Sequence, residues 1–163
     1  RNTKRMEMNL LCIDPGPIKS GFVLYDGEKV VQCSSEIDNE TLLDSVKRTI
    51  AAHHLAIEMV ASYGMAVGKD VFETCVWIGR FIQAFPGSHT CVYRRDVKLA
   101  LCDSMRAKDT NIRQAILDLF PATGGGKTPQ IGTKKEPGPL YGVSKHAWAA
   151  LAVGITYFMR EGE

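Results

Sequence analysis

The sequence contains no apolar stretch as long as the roughly 18 residues that a membrane-spanning helix requires. Its first residues, 1–8, are basic but are not followed by the apolar segment of a secretory signal. The five cysteines form no C-x-x-C pair, and no Cys/His cluster has the spacing of a zinc site. We therefore expect reduced cysteines and a cytoplasmic protein with no membrane partner.

The chain does have the length and composition of a globular domain. Its 163 residues are 45% hydrophobic and 23% charged, which suits one hydrophobic core. No internal repeat or change of composition divides residues 1–163, so we predict a single domain. Residues 121–142 are rich in Gly, Pro and Lys and fit no regular element, which predicts a flexible loop.

Two short apolar runs each carry a carboxylate at or near their end. Residues 10–14 end in Asp14 just before Pro-Gly, and residues 55–60 contain Glu58. A helical pattern over 41–53 separates them, which predicts parallel neighbouring strands with both acids at one edge of the sheet. A buried carboxylate without a partner is costly, so each acid is either a structural hydrogen-bond acceptor or a ligand. Two acids together favour Mg²⁺ or Mn²⁺, which take oxygen ligands.

The remaining pattern predicts an antiparallel meander at the start and three further helices. The Asp26-Gly27 turn separates the second and third strands of the meander. Asn39 or Thr41 is the expected cap of the first helix. The other predicted elements are strands over 22–25, 29–33 and 91–93, helices over 71–85, 110–120 and 144–160, and a helical turn over 97–101.

Four segments carry a family resemblance: Ile-Asp-Pro-Gly at 13–16 with Gly21, Ala-Ile-Glu at 56–58, the block 97–117, and residues 145–152. In this order, over nearly the whole chain, they resemble RuvC-type Holliday junction resolvases, and most of all the bacteriophage and prophage branch. The resemblance implies a ribonuclease H-like α/β fold, with a central mixed five-stranded sheet flanked by helices. It also implies a homodimer that binds four-way or branched DNA and hydrolyses phosphodiesters.

The resemblance further implies two Mg²⁺ ions per active site, for which Mn²⁺ substitutes. It assigns Asp14, Glu58 and His146 as catalytic residues and metal ligands, although a polar surface residue is the alternative for His146. The family's second acid on the last helix falls on Ala149, which has no donor atom. Three explanations are open: the three ligands and water suffice, an acid was replaced by engineering, or a nearby acid substitutes, with Asp109 and Asp103 as candidates.

Basic residues supply the candidates for DNA contacts, because a resolvase reads branch shape mainly through phosphates. A solvated face is the alternative for any such cluster. The first candidates match a basic block of the family: Lys98, Arg106 and Lys108. The second group comprises Arg94, Arg95, Lys127, Lys134 and Lys135.

Three large residues near the loop after Glu58 are weaker candidates for a wedge in the centre of a junction: Tyr63, Met65 and Phe72. Their alternative is packing in the core or in a dimer. The helix predicted over 71–85 is the dimer interface that the resemblance implies.

Two other functions compete with cleavage of branched DNA. The same fold with an incomplete site would bind junctions without cutting them, whether Ala149 is natural or engineered. A related ribonuclease H-like nuclease would act on other nucleic acids. An actin-like ATPase is disfavoured by the short chain and the missing second phosphate loop, and we expect no small-molecule cofactor.

Overall fold

The computed structural model describes residues 8–49 and 51–161. Its strands form one mixed five-stranded sheet in the order β3-β2-β1-β4-β5. β1 pairs antiparallel with β2 and parallel with β4, and β4 pairs parallel with β5. The predicted α/β class and the central mixed sheet are therefore confirmed. The strands are β1 Leu10–Asp14, β2 Lys19–Tyr25, β3 Val30–Asp38, β4 His54–Met59 and β5 Ser88–Tyr93.

Helices cover both faces of the sheet. On one face pack α1 (Asn39–Lys47) and α2 (Lys69–Ala84), and on the other pack α3 (Arg94–Cys102), α4 (Asp109–Leu119) and α5 (His146–Glu161). Each face has its own apolar core, as layered α/β domains require. None of the helices in the described ranges is long and apolar enough to cross a membrane.

The alternation of side chains along the strands decides where the two acids point. On β1, Leu10 and Cys12 face the core under α5. Leu11 and Ile13 alternate with them and face α1 and α2. Because successive side chains point to opposite faces, Asp14 continues the series toward α5. On β4, Ala56 lies in the same core, so Glu58 points the same way.

Several predicted boundaries need correction. α1 is capped by Asp38, whose side chain accepts the N–H groups of Glu40 and Thr41, and not by Asn39 or Thr41. Asn39 instead fixes the loop after Asp14, since its amide donates to the Gly16 carbonyl at 2.9 Å. α1 ends at residue 47 rather than 53, and the predicted turn over 97–101 is a nine-residue helix, α3.

Residues 121–142 contain no helix or strand, as predicted. Backbone bonds within the segment form turns, including Gly124 N–H to Pro129 O at 2.8 Å and Gly138 N–H to Ile131 O at 2.9 Å. An isolated antiparallel bridge joins Gly132 and Pro137. The flexibility of this loop, and the unity of residues 1–163 as one domain, stay predictions.

Candidate active site

Asp14 and Glu58 meet at the carboxyl end of the two central parallel strands. Ile13 pairs with Ile57 in the β1–β4 register, so the next residue of each strand is one of the acids. The Asp14 side chain is only 17% exposed. Hydrogen bonding between the two side chains lowers the pKa of Asp14 and raises that of Glu58. The parallel pairing predicted from the sequence thus places the two acids beside each other.

The proximity of the acids alters their protonation. Burial and then the charge of Asp14 raise the pKa of Glu58 to about 7, and the nearby Arg94 opposes this rise. Burial also raises the pKa of Asp14, against the hydrogen bond and charge of His146. Two buried acids this close do not both ionise readily unless a positive charge lies beside them.

His146 is the first residue of α5 and lies beside Asp14. Its Nδ1 is 3.0 Å from Asp14 Oδ2. Gly21 makes this approach possible, because it is the β2 partner of Asp14 and a Cβ at that position would lie 2.6 Å from the Cβ of His146. A second glycine, Gly154, lets α5 approach β1, where a Cβ would lie 2.5 Å from the Cys12 sulfur. The predicted trio of Asp14, Glu58 and His146 therefore shares one location.

The trio opens onto a cleft of about 1000 Å³ between the carboxyl end of the sheet and the helices α4 and α5. Ala149 lines this cleft one turn after His146 and offers no ligand. Among residues 8–49 and 51–161, no group of three or more His, Cys, Asp or Glu side chains is arranged to hold a metal ion. The donors around Asp14 and Glu58 therefore do not fit a two-ion centre.

The candidate substitutes for the missing acid differ in position. Asp109, the first residue of α4, lines the cleft and forms an ion pair with Arg94. Asp103 is the left-handed residue that ends α3 and does not line the cleft. Of these two candidates, only Asp109 lies near Asp14 and Glu58, and its carboxylate is already paired with the Arg94 guanidinium.

The basic candidates fall into two groups. Arg94 alone lines the cleft, at the start of α3. The others lie outside it, on exposed or half-buried positions of α3, of the α3–α4 connection and of the Gly/Pro-rich loop: Arg95, Lys98, Arg106, Lys108, Lys127, Lys134 and Lys135. Their role in binding nucleic acid stays a prediction.

The wedge candidates lie in the loop that follows β4 and on α2. Tyr63 and Met65 are exposed in the β4–α2 loop, at 57% and 71%, and Phe72 on α2 is 62% exposed. None of the three lies in the core, which removes core packing as their alternative. Junction insertion and dimer packing both stay open.

The sequence patterns did not assign four charged or aromatic residues of the cleft to the site: Glu36, Arg113, Lys145 and Trp148. Arg113 of α4 lies over the Trp148 ring of α5 at 4.9 Å from its centroid. Lys145, just before α5, pairs with Glu36 at 3.5 Å. Helical spacing could have indicated Arg113, which follows Asp109 by one turn, but only the packing of α4 against α5 brings it to Trp148.

Comparison with solved structures shows the fold. Thermus thermophilus RuvC matches with a TM-score of 0.65 and 17% identity, over 95% of this chain and 97% of that chain. T. thermophilus RuvC in complex with a Holliday junction substrate gives 0.63 and 15%, over 95% of each chain. The yeast mitochondrial Holliday junction resolvase Ydc2 gives 0.56 and 10%, over 95% of this chain and 82% of that chain. The RuvC-type, ribonuclease H-like fold expected from the resemblance is therefore confirmed.

Comparison of the sequence with protein-family models finds no match. No curated protein matches it either.

Proposed function

We propose that this protein is a structure-specific endonuclease that binds four-way or branched DNA and hydrolyses its phosphodiesters. The observation that carries the proposal is the pair of neighbouring acids, Asp14 and Glu58, which line an open cleft in a RuvC-type fold. One of the similar structures holds a Holliday junction substrate. The bacteriophage branch and a cytoplasmic location belong to the same proposal as finer expectations.

The charges of the cleft favour a divalent cofactor. Asp14 and Glu58 would hold a Mg²⁺ ion, or Mn²⁺ in its place, and such an ion would acidify the attacking water and offset charge on the phosphate. The substrate phosphate would supply further oxygen ligands, so binding of the ion is expected to be weak without DNA. The second ion that the resemblance implies has no ligand set among the described residues.

The first test is Asp14→Asn. It should abolish Mg²⁺-dependent nicking of a labelled four-way junction, because it removes the charge of a metal ligand. Junction affinity, measured by gel shift in EDTA, should stay within about threefold, since phosphate contacts elsewhere dominate binding. Lys47→Ala, an exposed cation on α1 behind the sheet, is the matched control and should cut normally. Normal nicking by Asp14→Asn would remove Asp14 from the site.

A second candidate function is junction binding without cleavage, and Ala149 is the observation that favours it. The cleft lacks a donor at this position. If wild type binds a four-way junction but does not nick it in Mg²⁺ or Mn²⁺, while Ala149→Asp nicks it with unchanged affinity, the chain is a binder. Competition with linear duplex and with RNA would separate both functions from a nuclease with another substrate.

We also propose a homodimer through α2. Phe72 and Val76 form an exposed apolar stripe on this helix, at 62% and 63% exposure. Gly79 extends the stripe by one turn, and a methyl group added there would meet no atom within 4 Å, so the surface is open to a partner. Light scattering should give twice the mass of one chain. Val76→Glu should yield monomers, because it places a charge in the apolar stripe. A monomeric wild type would refute the interface.

A further inference from the structure

Arg94 is a cation placed at the same sheet edge as the two acids. It is the first residue of α3 and follows β5 directly. Glu58 pairs with Val92 in the β4–β5 register, so Arg94 comes two residues beyond the partner of Glu58. Val92 faces the core under α5. Arg94 is two residues further along the chain, so its side chain leaves the backbone on the same side of the sheet. The Arg94 side chain accordingly lines the cleft with Asp14 and Glu58.

The charge of Arg94 acts on both acids. It lowers the pKa of Asp14 and that of Glu58, in each case against the effect of burial. Its ion pair with Asp109 holds the guanidinium in place. The Arg94 side chain is 30% exposed whereas that of Asp109 is 88% exposed, so Arg94 is the more buried member of the pair. The cleft thus contains a guanidinium held in place by a more exposed carboxylate.

A fixed cation and a second divalent ion would compete for the same acids. Ala149 lacks the donor that the resemblance expects for that ion, and the chain places a guanidinium in the cleft instead. A guanidinium binds two phosphate oxygens at once through parallel N–H donors. These facts fit a site in which arginine, rather than a metal ion, takes up phosphate charge.

We propose that Arg94 is a catalytic residue that contacts the phosphodiester to be cut and takes the charge-stabilising role of a second metal ion. Hydrolysis forms a bond from the water oxygen to phosphorus and breaks one P–O ester bond; one water proton ends on the leaving oxygen, giving a monoester and an alcohol. Arg94 would neutralise the charge that gathers on the phosphoryl oxygens in between. This inference rests on the proposed nuclease function.

The kinetic test compares Arg94→Ala, Arg94→Lys and Lys47→Ala on a labelled four-way junction in Mg²⁺, with protein in saturating excess. We expect the cleavage rate of Arg94→Ala to fall by about 100-fold or more. Arg94→Lys should recover part of the rate, because it keeps the charge but not the paired donors. Junction affinity in EDTA should fall only several-fold. The slope of log affinity against log salt concentration should become shallower by about one, which corresponds to one lost phosphate contact.

A second readout needs no DNA. Titration with Mn²⁺ at high concentration, followed by calorimetry, should give weak binding of one ion per wild-type chain. Arg94→Ala should bind Mn²⁺ several-fold more tightly, because a cation beside the ligands has gone. The double variant Arg94→Ala with Ala149→Asp should bind two ions. Two ions on the wild type would overturn the proposal.

The outcomes separate the two hypotheses. A wild type that neither binds nor cuts junctions refutes the proposed function. A wild type that cuts, with Arg94→Ala cutting equally fast at saturation, refutes the role of Arg94 alone. Thermal unfolding of each variant by circular dichroism shows whether a lost activity reflects a lost fold, and Arg94→Lys provides the folded comparison if Arg94→Ala unfolds.

Discussion

Gly21→Ala is the most direct test of how the fold assembles the site. A methyl group at position 21 would lie 2.6 Å from the Cβ of His146, 2.7 Å from its carbonyl carbon and 2.8 Å from its carbonyl oxygen. Carbon atoms in contact are normally about 3.5–4.0 Å apart. Two of the three neighbours are backbone atoms, which cannot rotate away. The start of α5 must therefore move by about 1 Å.

That displacement acts directly on the candidate site. His146 Nδ1 and Asp14 Oδ2 are 3.0 Å apart, and a further shift of about 1 Å would break their hydrogen bond. Overpacking of this kind costs about 1–3 kcal/mol of unfolding free energy. A misplacement of about 1 Å in a catalytic site costs on the order of 100-fold in rate.

Urea unfolding and single-turnover cleavage of a four-way junction measure the two effects. Gly68→Ala is the matched control, since its methyl group meets no atom within 4 Å and Gly68 precedes α2, outside the proposed dimer stripe. Alanine at this N-cap should lower the unfolding free energy by no more than about 1 kcal/mol. If Gly21→Ala is as stable and as active as wild type, α5 is not positioned by this contact and the argument for His146 fails.

Two further predictions concern charge. Because the native state holds Glu58 protonated up to a pKa of about 7, against an ordinary 4.5, it binds more protons than the unfolded chain between these values. The unfolding free energy of metal-free protein should therefore fall as pH rises from about 4.5 to about 7, by at most about 3 kcal/mol. In urea titrations, Glu58→Gln should flatten this dependence of unfolding free energy on pH. A flat wild-type profile would contradict the burial of Glu58. Junction affinity should fall steeply between about 50 and 200 mM salt, because released counterions dominate binding to phosphates; a salt-independent affinity in gel shifts would rule out the basic candidates as the contact surface.

The sequence predicted the positions of the two acids because local patterns determine them. An apolar run that ends in a carboxylate and a turn gives both the strand and its last residue. The helix between the two runs makes the strands parallel, and alternation then sends both acids to the same face. No information from the rest of the chain was needed for Asp14 and Glu58 to meet.

The errors arose where distant contacts determine the structure. β3 runs to Asp38, five residues beyond the prediction, because its polar second half pairs with β2, as in Ser20 with Ile37. α1 stops at Lys47 because the chain must enter β4 beside β1, where the His53 N–H donates to Asn9 O at 2.8 Å. Neither pairing leaves a local signal.

The rule that identified the acids also applies to the strand beside them. β1, β4 and β5 are parallel neighbours, and their carboxyl ends carry Asp14, Glu58 and Arg94 in that order. In the sequence, Arg94 directly follows the third strand, whereas the first two strands carry their acids at or near their last position. We interpreted the first two charges as ligands and the third only as one of several basic surface residues. Applied to β5 as well, the same geometry predicts a site built from two acids and an arginine. Because the arginine supplies positive charge, such a site needs fewer metal ions than one built from four ligands.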